Sequence, residues 1–134
     1  MSLEIKERER EGITILDLSG RLTVGDEASK FRERMGKIIA AGRRNLILNM
    51  AQVDYVDSTG LGAMVMCYTT LSRDGGKVKL LNLTRRSIEL LVMTKLTTIF
   101  EVFDDEQNAI NSFFPDREIK RFDILNFVQQ MREE

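Results

Sequence analysis

Histidine is absent from the 134-residue sequence, and cysteine and proline occur once each. Without histidine, neither a Ser-His-Asp triad nor a Cys-His pair can form, and imidazole cannot ligate a metal. A single cysteine can make neither an internal disulfide nor a cysteine zinc cluster. The composition therefore argues against an enzyme, and it predicts no cofactor and no metal site.

Excess charge and long apolar runs are also lacking. The 20 basic and 21 acidic residues give a net charge of −1, and they alternate along the chain, so no basic block would attract nucleic acid or an anionic membrane. No stretch approaches the ~20 apolar residues of a membrane span, and no apolar signal segment begins the chain. We expect a cytoplasmic protein that contacts neither nucleic acid nor membrane directly. The lone Cys67 lies in an apolar run and is expected to be a small buried residue.

Strand and helix patterns alternate between residues 13 and 114. The runs NLILNM and KVKLLNL are typical of strands buried on both faces of a sheet. In contrast, Ala28, Phe31, Met35 and Ile38 recur at helical spacing. This alternation predicts an α/β fold with βαβ units, a mixed and largely parallel sheet of about four to five strands, and about four helices.

Turn and cap residues predict several element boundaries. Glu11 and Gly12 are predicted to form the turn between the first two strands, and Gly20 is predicted to end the second. TIFEVF is predicted to be a short final strand. Thr84 is a predicted helix N-cap. In the helix that follows, the residues expected to face inward are Ile88, Leu91 and either Met93 or Leu96.

The only proline, Pro115, separates this pattern from a C-terminal tail. We predict a domain over residues 1–114 and a helical extension over residues 115–134. Apolar residues recur through the tail and predict a helix of about four turns: Ile119, Phe122, Leu125, Val128 and Met131. Two roles remain open, either docking on the chain's own domain or forming a homodimer through residues 119–131. Membrane contact is disfavoured because the tail lacks a strongly basic face.

The segment VDYVDSTGLGAM joins a predicted strand to a predicted helix. Asp57 can cap that helix, and Gly60 and Gly62 are expected to leave the backbone open around Ser58 and Thr59. A nucleophile elbow requires Gly-x-Ser-x-Gly and a base such as histidine, and a P-loop requires Gly-Lys-Ser/Thr, so both are excluded. Spacing alone favours a capping role for these residues over a modification site.

This segment, with NLILNMAQ before it, resembles the phosphorylation segment of STAS domains, specifically those of bacterial anti-sigma factor antagonists. LDLSGRLTVGDEASKFRERM, which precedes this segment, resembles the second strand, the following loop and the first helix of these domains. GGKVKLLNL and TKLTTIFEVFDDEQNAI resemble their later strand and their closing strand-helix segment. The resemblance covers roughly residues 4–114. It implies a STAS-like fold, to which this chain adds an extra C-terminal helix.

The resemblance also implies a function. Ser58 matches the serine that is phosphorylated by a partner kinase, which is itself the anti-sigma factor, and Thr59 is the fallback acceptor. The unphosphorylated domain would bind that kinase and free a sigma factor, and a phosphatase would reset the switch. The implied contact surface comprises Thr23, Asp57, Ser58, Thr59, Gly60 and Leu61.

The chain departs from the family pattern in one loop. Many members have an aspartate where this chain has Thr23, and Asp26 follows three residues later. A second function therefore remains open, that of a non-switching STAS scaffold or a subunit of a stress-signalling or lipid-transport assembly.

Overall fold

A computed structural model describes residues 2–133 of the chain. Its strands are β1 (Leu3–Arg10), β2 (Ile13–Leu22), β3 (Asn45–Val56), β4 (Lys77–Leu81) and β5 (Val102–Phe103). Its α-helices are α1 (Asp26–Ala40), α2 (Ser58–Arg73), α3 (Arg85–Met93), α4 (Glu106–Asn111) and α5 (Ile124–Glu133). Across residues 2–133, no helix is both long enough and apolar enough to cross a membrane.

The strands form one sheet in the order β1-β2-β3-β4-β5. The β1–β2 pair is antiparallel, and each of the other pairs is parallel. Each parallel connection carries a helix, which is the arrangement that βαβ units require. The predicted α/β fold with a mixed, largely parallel sheet is confirmed.

The β1–β2 hairpin turns at Glu11 and Gly12, as predicted. Their φ angles are 52° and 81°, and a two-residue turn of this kind needs positive φ at both positions. The prediction that Gly20 ends β2 was wrong, because the strand continues to Leu22. Gly20 instead lies under β1, where an added Cβ would stand 2.2 Å from the backbone oxygen of Ser2.

Helices cover both faces of the sheet, as the continuous apolar strands predicted. The main core lies between one face and the helices α1, α2 and α3, and it includes the α1 residues that the helical spacing identified. Cys67 belongs to this core, and burial raises the pKa of its thiol to about 12. A smaller cluster on the opposite face packs against α4. The residues of the smaller cluster are Ile13, Ile15, Ile47, Leu81, Phe103, Ala109 and Ile110.

Helix α3 begins and ends close to its local signals. The Thr84 hydroxyl accepts the Ser87 N–H at 3.3 Å, which confirms the predicted N-cap. Lys95 adopts a left-handed φ of 62° after the helix, so the chain turns away before Leu96. Of the two alternatives for the third inward residue, Leu96 packs against the main core, whereas Met93 is 78% exposed.

The predicted final strand TIFEVF is much shorter in the structure. A 3₁₀ turn occupies Leu96–Thr98, and only Val102 and Phe103 pair with β4. Phe100 is buried in the main core. The segment before β5 therefore serves to place that aromatic ring and does not extend the sheet.

The tail helix is also shorter than predicted. It covers Ile124–Glu133, ten residues, whereas the apolar spacing had predicted about four turns beginning near Ile119. The helix begins where Asp123 accepts the Asn126 N–H at 2.9 Å. The cap of α5 therefore lies inside the predicted helix, and the residues before it are not helical.

The part of the tail before α5 is held on the domain by polar contacts. Arg117 donates to Glu11 at 2.8 Å, next to the hairpin turn. The Phe122 N–H donates to the Val102 carbonyl at 3.1 Å. This bond lies along the edge strand β5, so the tail covers part of a sheet edge that would otherwise present unpaired backbone groups.

Candidate functional site

The candidate site is the junction between β3 and α2. Asp57 is extended, with φ −95° and ψ −176°, and its Oδ1 atom accepts the Gly60 N–H at 2.8 Å. Asp57 is therefore the N-cap, as predicted, and Ser58 is the first residue of the helix. The Ser58 side chain lies outside the core and is exposed, whereas Thr59 is half-buried.

The second carboxylate oxygen of Asp57 joins this junction to another loop. Its Oδ2 atom accepts the Val24 N–H at 2.8 Å across 33 positions of sequence. Val24 follows Thr23 in the loop between β2 and α1. One carboxylate thus holds the two segments side by side, and it brings the half-buried Thr23 into the same region as Ser58.

The Asp57 carboxylate is held in its charged form. Partial burial alone would raise its pKa, but hydrogen bonds from the backbone N–H groups, first that of Gly60 and then that of Val24, lower the pKa below its ordinary value. A negative charge at the N-terminus of α2 is also favoured by the helix dipole. At neutral pH the residue that precedes Ser58 therefore carries a negative charge.

Gly60 has a different role from the one predicted. It is buried, and an added Cβ would lie 2.0 Å from the Leu22 carbonyl oxygen. The expectation that Gly60 leaves the backbone open to another molecule was wrong, because β2 fills that space. Gly62 does have open space around it. Leu61 is only 7% exposed and belongs to the core.

The structure adds two exposed apolar residues that the sequence analysis missed. Val24 is 66% exposed and Met66 is 60% exposed. Ser58, Gly62 and Met66 recur every four residues and therefore share the outward face of α2. That spacing could have identified Met66, but nothing local places Val24 beside Asp57. We call Val24, Ser58, Gly62 and Met66 the α2 surface.

A shallow groove continues the α2 surface between α1 and α2. Its volume is about 250 Å³, and its lining includes Met35, Ile39, Ala63 and Met66. The site thus combines an exposed hydroxyl and a fixed carboxylate with apolar side chains on a convex helix. Such a surface is suited to contact with another protein.

Comparison with known proteins identifies the family. The model of the STAS domain matches residues 4–109 of the chain. The chain belongs to the STAS domain family. The resemblance noted at the Asp-Ser-Thr-Gly-Leu-Gly motif is thereby confirmed, and the motif of this STAS domain lies at the β3–α2 junction.

Relatives of this STAS domain carry consistent names. It is 29% identical over 113 residues to the anti-sigma F factor antagonist of Paenibacillus polymyxa. That alignment covers 82% of this chain and 94% of the relative. It is 30% identical over 114 residues to the anti-sigma-B factor antagonist of Listeria monocytogenes serovar 1/2a. That alignment covers 84% of this chain and 98% of the relative.

A solved structure shares the fold. The phosphorylated form of SpoIIAA, described as a Bacillus cell fate determinant, matches with a TM-score of 0.65 and 19% sequence identity, and the match covers 82% of this chain and 99% of SpoIIAA. The unphosphorylated form of SpoIIAA also matches, with a TM-score of 0.65. Five strands and the helices around them are therefore arranged here as in an anti-sigma factor antagonist.

Proposed function

We propose that this protein is an anti-sigma factor antagonist whose binding to its partner is controlled by phosphorylation of Ser58. The observation that carries the proposal is the exposed Ser58 side chain at the start of α2, where Asp57 and not Ser58 forms the cap. The names of the relatives and the existence of SpoIIAA in phosphorylated and unphosphorylated forms support it.

Exposure favours Ser58 over Thr59 as the acceptor. A kinase must bring the hydroxyl to its own catalytic groups, and the Ser58 side chain is exposed where that of Thr59 is half-buried. Modification of Ser58 leaves the cap intact because both Asp57 hydrogen bonds remain. We therefore expect the phosphorylated domain to keep its fold, with Thr59 as the fallback acceptor only.

The charge of a phosphate on Ser58 would switch off binding to the partner. A phosphate on Ser58 adds a charge of roughly −1.5 to −2 at neutral pH, on the residue next to the ionised Asp57. In the free protein water screens both anions. In a complex that covers the α2 surface, with the exposed Val24 and Met66 at its sides, the phosphate would be desolvated next to apolar groups and a like charge, which is strongly unfavourable.

The partner in this proposal is an anti-sigma factor that is also a serine kinase. Its contact surface on this chain would comprise Thr23, Asp57, Ser58 and Thr59, extended by the α2 surface. Gly60 and Leu61 are buried and would contribute indirectly, by holding α2 against β2. A phosphatase would restore the binding form, and the protein itself would act in the cytoplasm as a binding module without catalysis.

The first test is phosphorylation by the anti-sigma kinase of the same organism with ATP, followed by intact-mass and phosphosite analysis. We expect one phosphate on the wild-type protein and on Thr59→Val, and none on Ser58→Ala. A phosphate that persists in Ser58→Ala would contradict the assignment of the acceptor.

The second test measures binding to the same kinase by calorimetry. Ser58→Asp is expected to weaken binding at least tenfold, about 1.4 kcal/mol, without lowering the melting temperature. Ser72→Asp places the same charge at an exposed position near the other end of α2 and should bind like wild type. Equal binding by Ser58→Asp and wild type would refute the switch and favour a non-switching scaffold.

A further inference from the structure

The tail places two adjacent residues, Arg121 and Phe122, against the outer edge of β5. The Nε atom of Arg121 donates to Glu101 Oε2 at 3.1 Å. The Phe122 N–H donates to the Val102 carbonyl at 3.1 Å, and the Phe122 side chain packs against the main core. A guanidinium, a backbone N–H and an aromatic ring of the tail thus each meet a different group of the domain.

The domain itself holds Glu101 in place for this contact. The other carboxylate oxygen, Oε1, lies 3.3 Å from the ammonium of Lys79, whose side chain is only 5% exposed. That ammonium also donates to the Ser112 carbonyl at 3.4 Å and lies 4.9 Å from the centroid of the Phe113 ring. A buried cation requires a paired anion, so Lys79 would keep Glu101 at this position without Arg121. The carboxylate is therefore a fixed feature of the domain.

The ring of Phe122 forms one wall of a crevice at the carboxyl ends of β4 and β5. The crevice has a volume of about 250 Å³, and its apolar lining includes Ile88, Val102 and Phe103. Of the described residues that line it, Asp104 alone carries a charge. Ligands of open α/β sheets commonly bind beyond the carboxyl ends of the strands. An apolar crevice with acidic neighbours favours an occupant that is both aromatic and basic.

The domain is complete before this segment begins. The STAS match ends at residue 109, and the sheet and helices α1–α4 all precede Pro115. Residues 118–123 form neither helix nor strand. A further anchor of the tail is the pair of Arg117 and Glu11, 2.8 Å apart and each more than a third exposed, and exposed ion pairs contribute little to stability. A segment held in this way can open while the domain stays folded.

We propose that the edge of β5 is a docking site for an extended segment with adjacent basic and aromatic side chains, and that Arg121 and Phe122 occupy it as an internal ligand. Glu101 binds the basic group, the Val102 carbonyl binds a backbone N–H as in strand addition, and the crevice takes the ring. The tail closes this site, and a partner segment of the same chemistry binds when the tail is released. The site shares no residue with the α2 surface and does not depend on the function proposed for Ser58.

The covalent link to the domain sets how strongly the segment has to bind. A short flexible tether gives an effective concentration in the millimolar range. The tail therefore stays docked only if the same segment, supplied as a separate molecule, binds with a dissociation constant of about 1 mM or less. A partner segment has to exceed this competition, so the tail sets a threshold for binding at the β5 edge.

The first test adds a peptide of residues 116–126 to the full chain and follows the Val102 and Phe103 amide resonances by NMR. The double variant Arg121→Ala, Phe122→Ala lacks the internal ligand, and we expect the peptide to shift its resonances with a dissociation constant of about 1 mM or less. The wild type should need at least about tenfold more peptide, because its own tail fills the site. Absence of binding to the double variant, or equal binding to both proteins, would overturn the proposal.

Two controls accompany the peptide titration. A peptide that carries Arg121→Ala and Phe122→Ala should leave both resonances in place, and binding as strong as that of the original peptide would contradict the proposed recognition. The protein variant Arg121→Ala keeps the packing of Phe122 and provides the same comparison if the double variant does not fold. It should bind the original peptide more tightly than the wild type does, and an unchanged affinity would count against the internal ligand.

The second test measures release of the tail by hydrogen exchange of the Phe122 amide. This amide is protected while it donates to Val102, and we expect a protection of roughly 10–100-fold, far below that of the β2–β3 core. Arg121→Ala should lower the protection severalfold. Arg132→Ala, which removes the same charge from the last turn of α5, should leave it unchanged. Protection as strong as that of the core, or equal effects of the two variants, would contradict a releasable tail.

Discussion

Substitution of two glycines in α2 tests how the site is built. Gly60→Ala should destabilise the protein, because the new Cβ would lie 2.0 Å from the Leu22 carbonyl oxygen. Gly62→Ala, two residues further along the same helix, meets no atom within 4 Å. The same methyl group is thus added to one helix at a filled position and at an open one.

The two substitutions should change the free energy of unfolding in opposite directions. Ordinary contact begins near 3.4 Å, so a Cβ at 2.0 Å is about 1.4 Å too close and α2 must move away from β2. Overpacking of this kind typically costs about 1–3 kcal/mol. We expect a cost near the upper end of this range, because the Leu22 carbonyl also accepts the Asp57 N–H at 3.3 Å and is therefore held in place. Gly62→Ala should instead stabilise by about 0.5–1 kcal/mol through helix propensity.

The assay is urea denaturation followed by far-UV circular dichroism, because the chain contains no tryptophan. The two variants should differ by about 3.5–4 kcal/mol, with Gly60→Ala below wild type and Gly62→Ala above it. A Gly60→Ala variant as stable as wild type would show that β2 does not confine α2 at this point. A larger loss in Gly62→Ala than in Gly60→Ala would refute the packing argument altogether.

Three further predictions concern single side chains. Asp57→Ala removes the cap and should cost about 1–2 kcal/mol in urea denaturation, with a shift of the Val24 amide resonance because that hydrogen bond is lost. The pKa of Glu106 is lowered from 4.5 to about 2, chiefly by hydrogen bonds from Arg8, so its contribution to stability is complete above pH 4.5 and is lost as the pH falls through 2. Glu106→Gln should therefore cost on the order of 1–2 kcal/mol at pH 7 after solvent screening, and the difference from wild type should shrink toward pH 2. Cys67 should not react with Ellman's reagent at pH 8 in the native protein, and should react in urea, because burial raises its pKa to about 12.

Features that depend on neighbours in sequence were predictable. The caps Asp57 and Thr84 each bond an N–H three residues later, so a short window contains the whole interaction. The Glu11–Gly12 turn likewise depends on two backbone angles. The α1 face and the buried strands followed from periodicity, which reports burial without knowledge of what covers it.

Features that depend on distant segments were not predictable. Gly60 gives no local sign that Leu22 will lie against it, and its position between Thr59 and Leu61 resembles that of the open Gly62. The late start of β5 at Val102 depends on where Phe100 packs. The start of α5 depends on the Asp123 cap and on the contact of the Phe122 N–H with the Val102 carbonyl.

The sequence by itself determined the class of the protein and the position of its candidate site. Lack of histidine excluded a Ser-His-Asp triad and a Cys-His pair, and a strand followed by Asp57 and Ser58 indicated a helix start with an available hydroxyl. Only the tertiary structure decided that Asp57 also holds the Val24 loop and that Gly60 is enclosed. The physical reason is the sequence separation of the groups that interact. Caps and periodic patterns depend on residues within one or two helical turns, whereas the exposure of Ser58 and Met66 depends on which surfaces the rest of the chain covers.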